Sequence, residues 1–308
     1  MKKFISLWKF SRPHTIIGTF VSVSVLYVMA NKLSSHHTSI IPLDYILTLI
    51  CCLSCNIFIT GLNQIYDVEI DRLNKPKLPL VTGEIQISEA KKIVTFCLMI
   101  ALVTSYYLSY FFGGLITVIA LIGAFYTIPP VRLKRYHLAA ALAISIVRGP
   151  LVNLGIYIHF HLLKFGFPIQ LNHEITMLTA FITVFSIGIA WFKDIPDVEG
   201  DKINQIETLS VKYSKKTALW GGLILVSAVY LLCILNSFFQ FSLFGSSTNK
   251  IETLTIPKFW FGLYHLCAWI FLIFKGYKLN IDNQLDVRKF YMTYWILFFL
   301  EYIAFAIF

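Results

Sequence analysis

Apolar residues run along the chain in blocks of about 20, and nearly every Lys, Arg, Asp and Glu falls in the short segments between them. Such blocks match the length a helix needs to cross the hydrocarbon layer. A backbone in lipid must satisfy its own hydrogen bonds, so the pattern predicts helices and no sheet. Nine spans are expected, centred near residues 24, 54, 99, 119, 149, 184, 227, 267 and 299. The third and fourth run nearly together from Lys92 to Thr127, and Gly113 and Gly114 in "YFFGGL" are the expected turn between them. Without that turn the count falls to eight.

Composition agrees with the pattern. The 308 residues are 57% hydrophobic and 14% charged, and the mean hydropathy is +0.72. A single all-α, integral-membrane domain over residues 1–308 is therefore expected. Charge then tests the span count, because Lys and Arg collect in cytoplasmic loops. With nine spans and the amino terminus inside, 21 of the 26 Lys and Arg residues fall on one side. Only Lys32, Lys164, Lys250 and Lys258 fall on the other, and Arg148 sits inside a span. The asymmetry supports nine spans and places the amino terminus on the cytoplasmic or equivalent side.

The net charge of +10 is accounted for by this topology and by anionic headgroups, and gives no indication of nucleic-acid binding. Cys51, Cys52, Cys55, Cys97, Cys233 and Cys267 all lie in apolar spans, and the Cys51–Cys55 cluster lacks the further ligands of a zinc site. No short apolar stretch with a small-residue cleavage site follows "MKKFISLWKFSRPHT", so no cleavable leader is expected.

Against this background an acidic phrase occurs twice: "DVEIDRLN" at 67–74 and "DVEGDKIN" at 197–204, identical at five of eight positions. Each copy sits at the basic end of a span, the second and the sixth, which suggests two related halves facing each other. Asn63, Asp67 and Asp71 are spaced by four, so a continuous helix would carry them on one face and turn Glu69 away. Pro76 and Pro79 then stop the helix and leave Asn74, Lys75 and Lys77 in a loop. Asp194, Asp197 and Asp201 repeat the spacing, although Pro196 and Gly200 interrupt any continuous helix.

Acids at a span's end are costly, and several together repel one another, so a positive partner is required. Carboxylate and amide oxygens suit Mg²⁺, which takes one or two carboxylates and completes its shell with substrate phosphates. Two opposed acidic clusters could each hold one Mg²⁺ and clamp a diphosphate, with Arg72, Lys75, Arg132, Lys134 and Lys202 adding charge. A set of boundary acids without function is the alternative for either cluster alone.

"NQIYDVEIDRLNKPKLPLVTGE" resembles the first aspartate-rich motif of the UbiA superfamily of intramembrane aromatic prenyltransferases, and "KDIPDVEGDK" resembles the second. "LWKFSRPHTIIGT" and "YTIPPVRLKRYHLAAALAISIVRGPLVNLG" are similar to the homogentisate branch of that superfamily. The likeness covers most of residues 7–220; beyond them only the hydrophobic pattern agrees. The chain starts just before the first motif, as a bacterial or mature form would.

The resemblance implies nine transmembrane helices around a central cavity and Mg²⁺-dependent transfer of a prenyl group from its diphosphate to an aromatic ring. For the homogentisate branch it implies loss of the acceptor's carboxylate on the route to tocopherols or plastoquinone. Other aromatic acceptors are 4-hydroxybenzoate, dihydroxynaphthoate and chlorophyllide. Carried over by position, Asp67, Asp71, Asp197 and Asp201 are the implied metal ligands and catalytic acids. Asn63, Arg72, Lys75, Lys134, Lys193 and Asp194 are the implied binders of substrate.

An allyl cation needs a dry pocket and aromatic faces. Phe125, Tyr126, Trp191 and Phe192 adjoin the motifs, and Tyr126, directly before "TIPPVRLKR", is the expected catalytic ring. Arg148, in mid-span, should meet an anion: the acceptor carboxylate, the diphosphate or an internal acid. His14 is read as a helix-entry residue before a general base, and His36 and His37 as plain loop. A transporter for a divalent cation or phosphorylated solute is the competing class. It would carry polar residues through the full depth of its spans, whereas here they gather at one end.

Overall fold

The computed structural model describes residues 2–32, 42–239 and 256–308; His36, His37 and Lys250 lie outside them. Nine long helices follow in chain order among the described residues: α1 (Pro13–Lys32), α2 (Pro42–Tyr66), α3 (Ile87–Leu108), α4 (Tyr110–Thr127), α5 (His137–Phe165), α6 (His173–Asp194), α7 (Lys215–Phe239), α8 (Ile256–Tyr277) and α9 (Gln284–Ile307). Eight are long and apolar enough to cross a membrane. The remaining one, α3, has 22 residues and packs along α2. The chain is an all-α, multi-pass integral membrane protein.

Local chemistry sets the helix starts. Pro13 and Pro42 open α1 and α2, where a missing N–H costs nothing. Gln86 and Glu89 form a reciprocal capping box on α3. The side chains of Asn172 and Asn283 accept from the first turns of α6 and α9. Ser109 does the same between α3 and α4, accepting from Phe112 N at 3.1 Å. The turn expected at Gly113 and Gly114 thus falls earlier. A serine cap stops the chain once, and both glycines lie inside α4, with Gly113 N donating to Ser109 O at 2.9 Å.

Helices α1, α2, α4, α5, α6 and α9 all supply residues to one central cavity, while α3, α7 and α8 stand outside it. The outer helices are not merely greasy. Glu301 of α9 is fully buried and takes Tyr230 OH of α7 at 2.7 Å, Tyr264 OH of α8 at 3.1 Å and His265 Nε2 of α8 at 3.1 Å. One carboxylate therefore ties three helices that apolar packing alone would leave free to slide, as a buried polar group does when it fixes register.

Before α1, the helix Lys2–Phe10 exposes Phe4, Leu7 and Trp8 on one side. Ser6 and Lys9 join it to Glu84, ahead of α3, at 2.6 and 3.4 Å. An amphipathic helix of this kind lies along a membrane surface.

Candidate active site

Each acidic phrase breaks its helix at the first aspartate. α2 ends at Tyr66, Asp67 is the N-cap of a short helix Val68–Asn74, and its φ and ψ are −109° and 13°. α6 ends at Asp194, and Asp197 caps Val198–Ile203 with φ −98° and ψ 5°. The expected continuous face through Asn63, Asp67 and Asp71 is therefore interrupted at Asp67. Neither capping carboxylate bonds to its own helix, so both are available to the space between the motifs.

The two short helices meet closely. A Cβ on Gly200 would stand 2.6 Å from the side-chain Cγ of Asn74, so any side chain there displaces the Asn74 amide from the junction. Asp67, Asp71, Asp194, Asp197 and Asp201 are all buried at this junction. The middle acids, Glu69 and Glu199, face outward.

Four cationic groups converge on the acids. Lys75 Nζ lies 2.5 Å from Asp197 Oδ2 and 3.5 Å from Asp71 Oδ1, joining the first motif to the second. Arg132 Nη2 lies 3.2 Å from Asp67 Oδ1, and Lys134 pairs with the same oxygen. Lys193 Nζ lies 3.2 Å from Asp194 Oδ1 and donates to Tyr126 OH at 3.2 Å.

The loop carrying Arg132 and Lys134 is held against the second motif's exit: Glu207 N donates to Arg135 O at 2.8 Å and His137 N to Glu207 O at 3.1 Å. Arg132 sits at φ 37°, a left-handed conformation that a non-glycine residue adopts only under constraint.

Arg72 is not brought into this group. Its side chain is 59% exposed and pairs at 3.1 Å with Glu69, itself 73% exposed. Three residues apart on a helix share a face, so Arg72 turns outward with Glu69. Lys202 is exposed beside Glu199 in the second copy.

The acids outnumber their partners. Asp71 Oδ2, Asp197 Oδ1 and Asn74 Nδ2 are buried with no hydrogen-bond partner. Burial, then the carboxylates of Asp194 and Asp197, push Asp201 up to about 8. Burial also raises Asp71, against the opposing pull of Lys75 and Arg12. Burial lowers Lys134 to about 8 despite Asp67, whereas Asp197 and Asp71 overcome burial and hold Lys75 above its ordinary value. A cluster that retains protons and orphaned oxygens is short of positive charge. Among the described residues no three acids gather closely enough to cage a metal by themselves, which fits Mg²⁺, an ion held by one or two carboxylates and completed by substrate phosphates.

Beside the motifs opens a cavity of about 240 Å³. Asn63, Tyr126, Lys193 and Arg12 line it. Asn63 Nδ2 donates to Thr127 Oγ1 at 3.4 Å. Elsewhere the lining is mostly apolar, with Val23, Ile119 and Phe298 among it. Of the four motif-adjoining rings, only Tyr126 lines the cavity. Phe125 faces outward, and Phe192 is core, its ring edge-on to Phe290 and Tyr294 at 5.3 and 4.8 Å.

Arg148 lines the same cavity with its guanidinium 4.7 Å from the Trp295 ring and 5.8 Å from that of Phe298. His14 meets the Trp295 ring edge-on at 5.1 Å.

Four residues went unnoticed in the sequence. Arg12 counted there only as a topological charge; here it takes φ 54° between two helices and lines the cavity. Arg288 donates to Asn74 O at 2.6 Å and fastens the last helix to the first motif. Tyr291 and Trp295 line the cavity from a helix whose aromatic run reads as ordinary core. Their four-residue spacing after Arg288 was the available signal.

The model of the UbiA prenyltransferase family matches residues 20–297, and so extends through most of the last third, where the motifs show only hydrophobic pattern. The chain is similar to the homogentisate phytyltransferase of Synechocystis sp. (strain ATCC 27184 / PCC 6803 / Kazusa), at 37% identity covering 98% of this chain and 94% of the relative. It is 35% identical to the chloroplastic homogentisate solanesyltransferase of Arabidopsis thaliana, over 97% of this chain and 75% of that protein. Among solved structures, a UbiA homolog from Archaeoglobus fulgidus bound to GPP and Mg²⁺ superposes with a TM-score of 0.64 at 18% identity. That likeness covers 98% of this chain and 99% of the other, and is a likeness of fold.

Proposed function

The chain belongs to the UbiA prenyltransferase family, and from that premise we propose that it transfers a phytyl or other polyprenyl group from its diphosphate to the aromatic ring of homogentisate. The acceptor's carboxylate is lost as CO2, in tocopherol or plastoquinone biosynthesis. The observation that carries the reading is the face-to-face pair of acidic motifs, with orphaned oxygens on Asp71 and Asp197, beside a mostly apolar cavity. The relatives named above act on homogentisate, and nearly the whole chain aligns with them.

Asp67, Asp71, Asp197 and Asp201 would hold Mg²⁺, with Asn63 and Asp194 beside them. Mg²⁺ bound there supplies neutralising charge for the diphosphate as it departs. Lys75, Arg132 and Lys134 add fixed positive charge at the same place, where it acts most strongly on charge that develops in the transition state. Arg72, on the outer face, guides the anionic donor toward the mouth as part of the general positive field.

Breaking the C1–O bond leaves an allyl cation. The Tyr126 ring, held by the Lys193 ammonium on its hydroxyl, offers a face that stabilises it by roughly 0.5–2 kcal/mol. The apolar cavity excludes water that would quench it to an alcohol. The new bond joins C1 to a ring carbon, which gives up its proton. The carboxylate leaves as CO2, and one proton is taken up at the methylene it leaves behind, so charge and atoms balance.

The excess of Lys and Arg at the motif end supports a cytoplasmic or equivalent orientation for the amino terminus and both motifs. The test is membranes containing the protein, supplied with Mg²⁺, homogentisate and phytyl, geranylgeranyl or solanesyl diphosphate. Prenylated quinol is expected from the wild type and none from Asp67→Ala or Asp197→Ala. Absence of product with every donor, or equal product from those variants, overturns the reading.

A further inference from the structure

We infer that Arg148 is the recognition site for the carboxylate of an aromatic-acid acceptor, and so sets acceptor specificity rather than serving the diphosphate. This rests on the prenyl-transfer reading above and assigns the other end of the same cavity.

Arg148 needs an anion, and the described residues supply none. No carboxylate among the described residues pairs with it; its neighbours are the rings of Trp295 and Phe298 at 4.7 and 5.8 Å. A guanidinium in mid-span that lines a cavity and has rings for neighbours is costly unless a ligand neutralises it. The cavity it lines is also lined by Arg12, His14, Tyr291 and Tyr302, and by no Asp or Glu.

Its backbone is built for the purpose. Val147–Leu151 is a π-helical turn inside α5, a departure common at functional sites. The carbonyl of Arg148 accepts from Asn153 Nδ2 at 3.0 Å, and Asn153 Oδ1 in turn accepts from Tyr302 OH at 2.7 Å. Gly149 brings the turn against α6: a Cβ there would lie 2.9 Å from Thr183 Cα. Arg148 is thus held in place from both α6 and α9.

Depth separates the two anions. Gly149 lies level with Thr183, eleven residues before Asp194 on α6, and a rise of 1.5 Å per residue puts the Arg148 backbone about 16 Å along the helix axis from the acidic junction. A diphosphate held among the aspartates stays at that junction. The interval is long enough for an acceptor ring whose reactive carbon faces the acids and whose carboxylate points away from them. Tyr291, one turn nearer the acids than Trp295 on a helix that Arg288 fastens to Asn74, lines the cavity between the two ends.

The experiment compares Arg148→Lys and Arg148→Met with wild type on homogentisate and on methylhydroquinone, the same ring with a methyl in place of the carboxymethyl group. A charge-assisted pair of this kind is worth about 10- to 100-fold in binding. The expected result is a 10- to 100-fold rise in KM for homogentisate, no change in KM for the prenyl diphosphate, and a loss on methylhydroquinone at least tenfold smaller than the loss on homogentisate. A rise in donor KM, or equal losses on both acceptors, overturns the assignment. A parallel binding arm follows quenching of tryptophan fluorescence, with Trp295→Phe as control. Homogentisate should quench wild type and not Arg148→Met, while methylhydroquinone treats both alike. If wild type makes no product yet shows this quenching pattern, the function proposed above fails and the carboxylate site stands; equal quenching of both proteins removes the site.

Discussion

Replacing Lys75 with Met should tighten divalent-metal binding while slowing prenyl transfer. Lys75 Nζ is 2.5 Å from Asp197 Oδ2 and 3.5 Å from Asp71 Oδ1, so the two carboxylate oxygens are at most about 6 Å apart. With the ammonium gone, their repulsion is about 3 kcal/mol at an effective dielectric near 20. Lys75 is 31% exposed at the mouth of the site, and water screening there leaves about half of that, ~1.4 kcal/mol.

A divalent ion relieves this repulsion and no longer competes with the ammonium for the same oxygens, so its affinity should rise about tenfold. Methionine keeps the bulk of the side chain and adds no polar group. Titration calorimetry of purified protein with Mg²⁺ or Mn²⁺ reads the affinity, and a prenyl-transfer assay reads a fall in kcat/KM for the donor of about tenfold or more. Unchanged or weaker metal binding by Lys75→Met would refute the placement of metal among Asp71 and Asp197. Undiminished turnover would remove Lys75 from diphosphate binding.

Three further outcomes follow. Gly200→Ala inserts a Cβ 2.6 Å from Asn74 Cγ and should part the motifs by about 1 Å, lowering kcat by up to ~100-fold although every carboxylate remains; wild-type kinetics would show that the clasp does not position the acids. Asp201 keeps its proton below about 8, and metal must displace it. Apparent Mg²⁺ affinity should therefore climb as pH rises toward 8 and level off above, with proton release seen in calorimetry across buffers of different ionisation enthalpy; a flat profile between pH 6 and 9 contradicts this. Glu301→Gln keeps the volume but breaks the pair with His265, and should cost about 3–5 kcal/mol of stability. The readout is a lower Tm in detergent with unchanged specific activity at low temperature, and an unshifted Tm would show that the packing of α7, α8 and α9 does not depend on that carboxylate.

Much of this arrangement was legible in the sequence because the membrane imposes strong rules. Apolar block length and Lys/Arg asymmetry yield the nine long helices, and the repeated acidic phrase locates the junction. What escaped depends on contacts across the fold. A four-residue spacing through Asn63, Asp67 and Asp71 looks the same whether the helix continues or restarts, and it restarts at Asp67 so that two short helices can meet at Gly200.

Arg72 was within reach of sequence reasoning. The helical phase that turns Glu69 away turns its three-residue neighbour away too, and basic character alone misplaced it. The Gly113–Gly114 turn failed because glycine permits a turn without requiring one, whereas Ser109 supplies a hydrogen bond that a turn gains from. Trp295 and Tyr291 could not be told from core aromatics until α9 was seen beside α5 and α6.

The buried carboxylate of Glu301 bears on how the chain is assembled. Its three partners, Tyr230, Tyr264 and His265, all precede it and enter the bilayer on earlier helices. During synthesis those groups must remain hydrated, or borrow lipid headgroups and translocation machinery, until α9 arrives. Insertion of the last helix is therefore the closing step that lets α7 and α8 leave polar surroundings together, and a ribosome stalled before Glu301 would hold a recognisably unfinished protein.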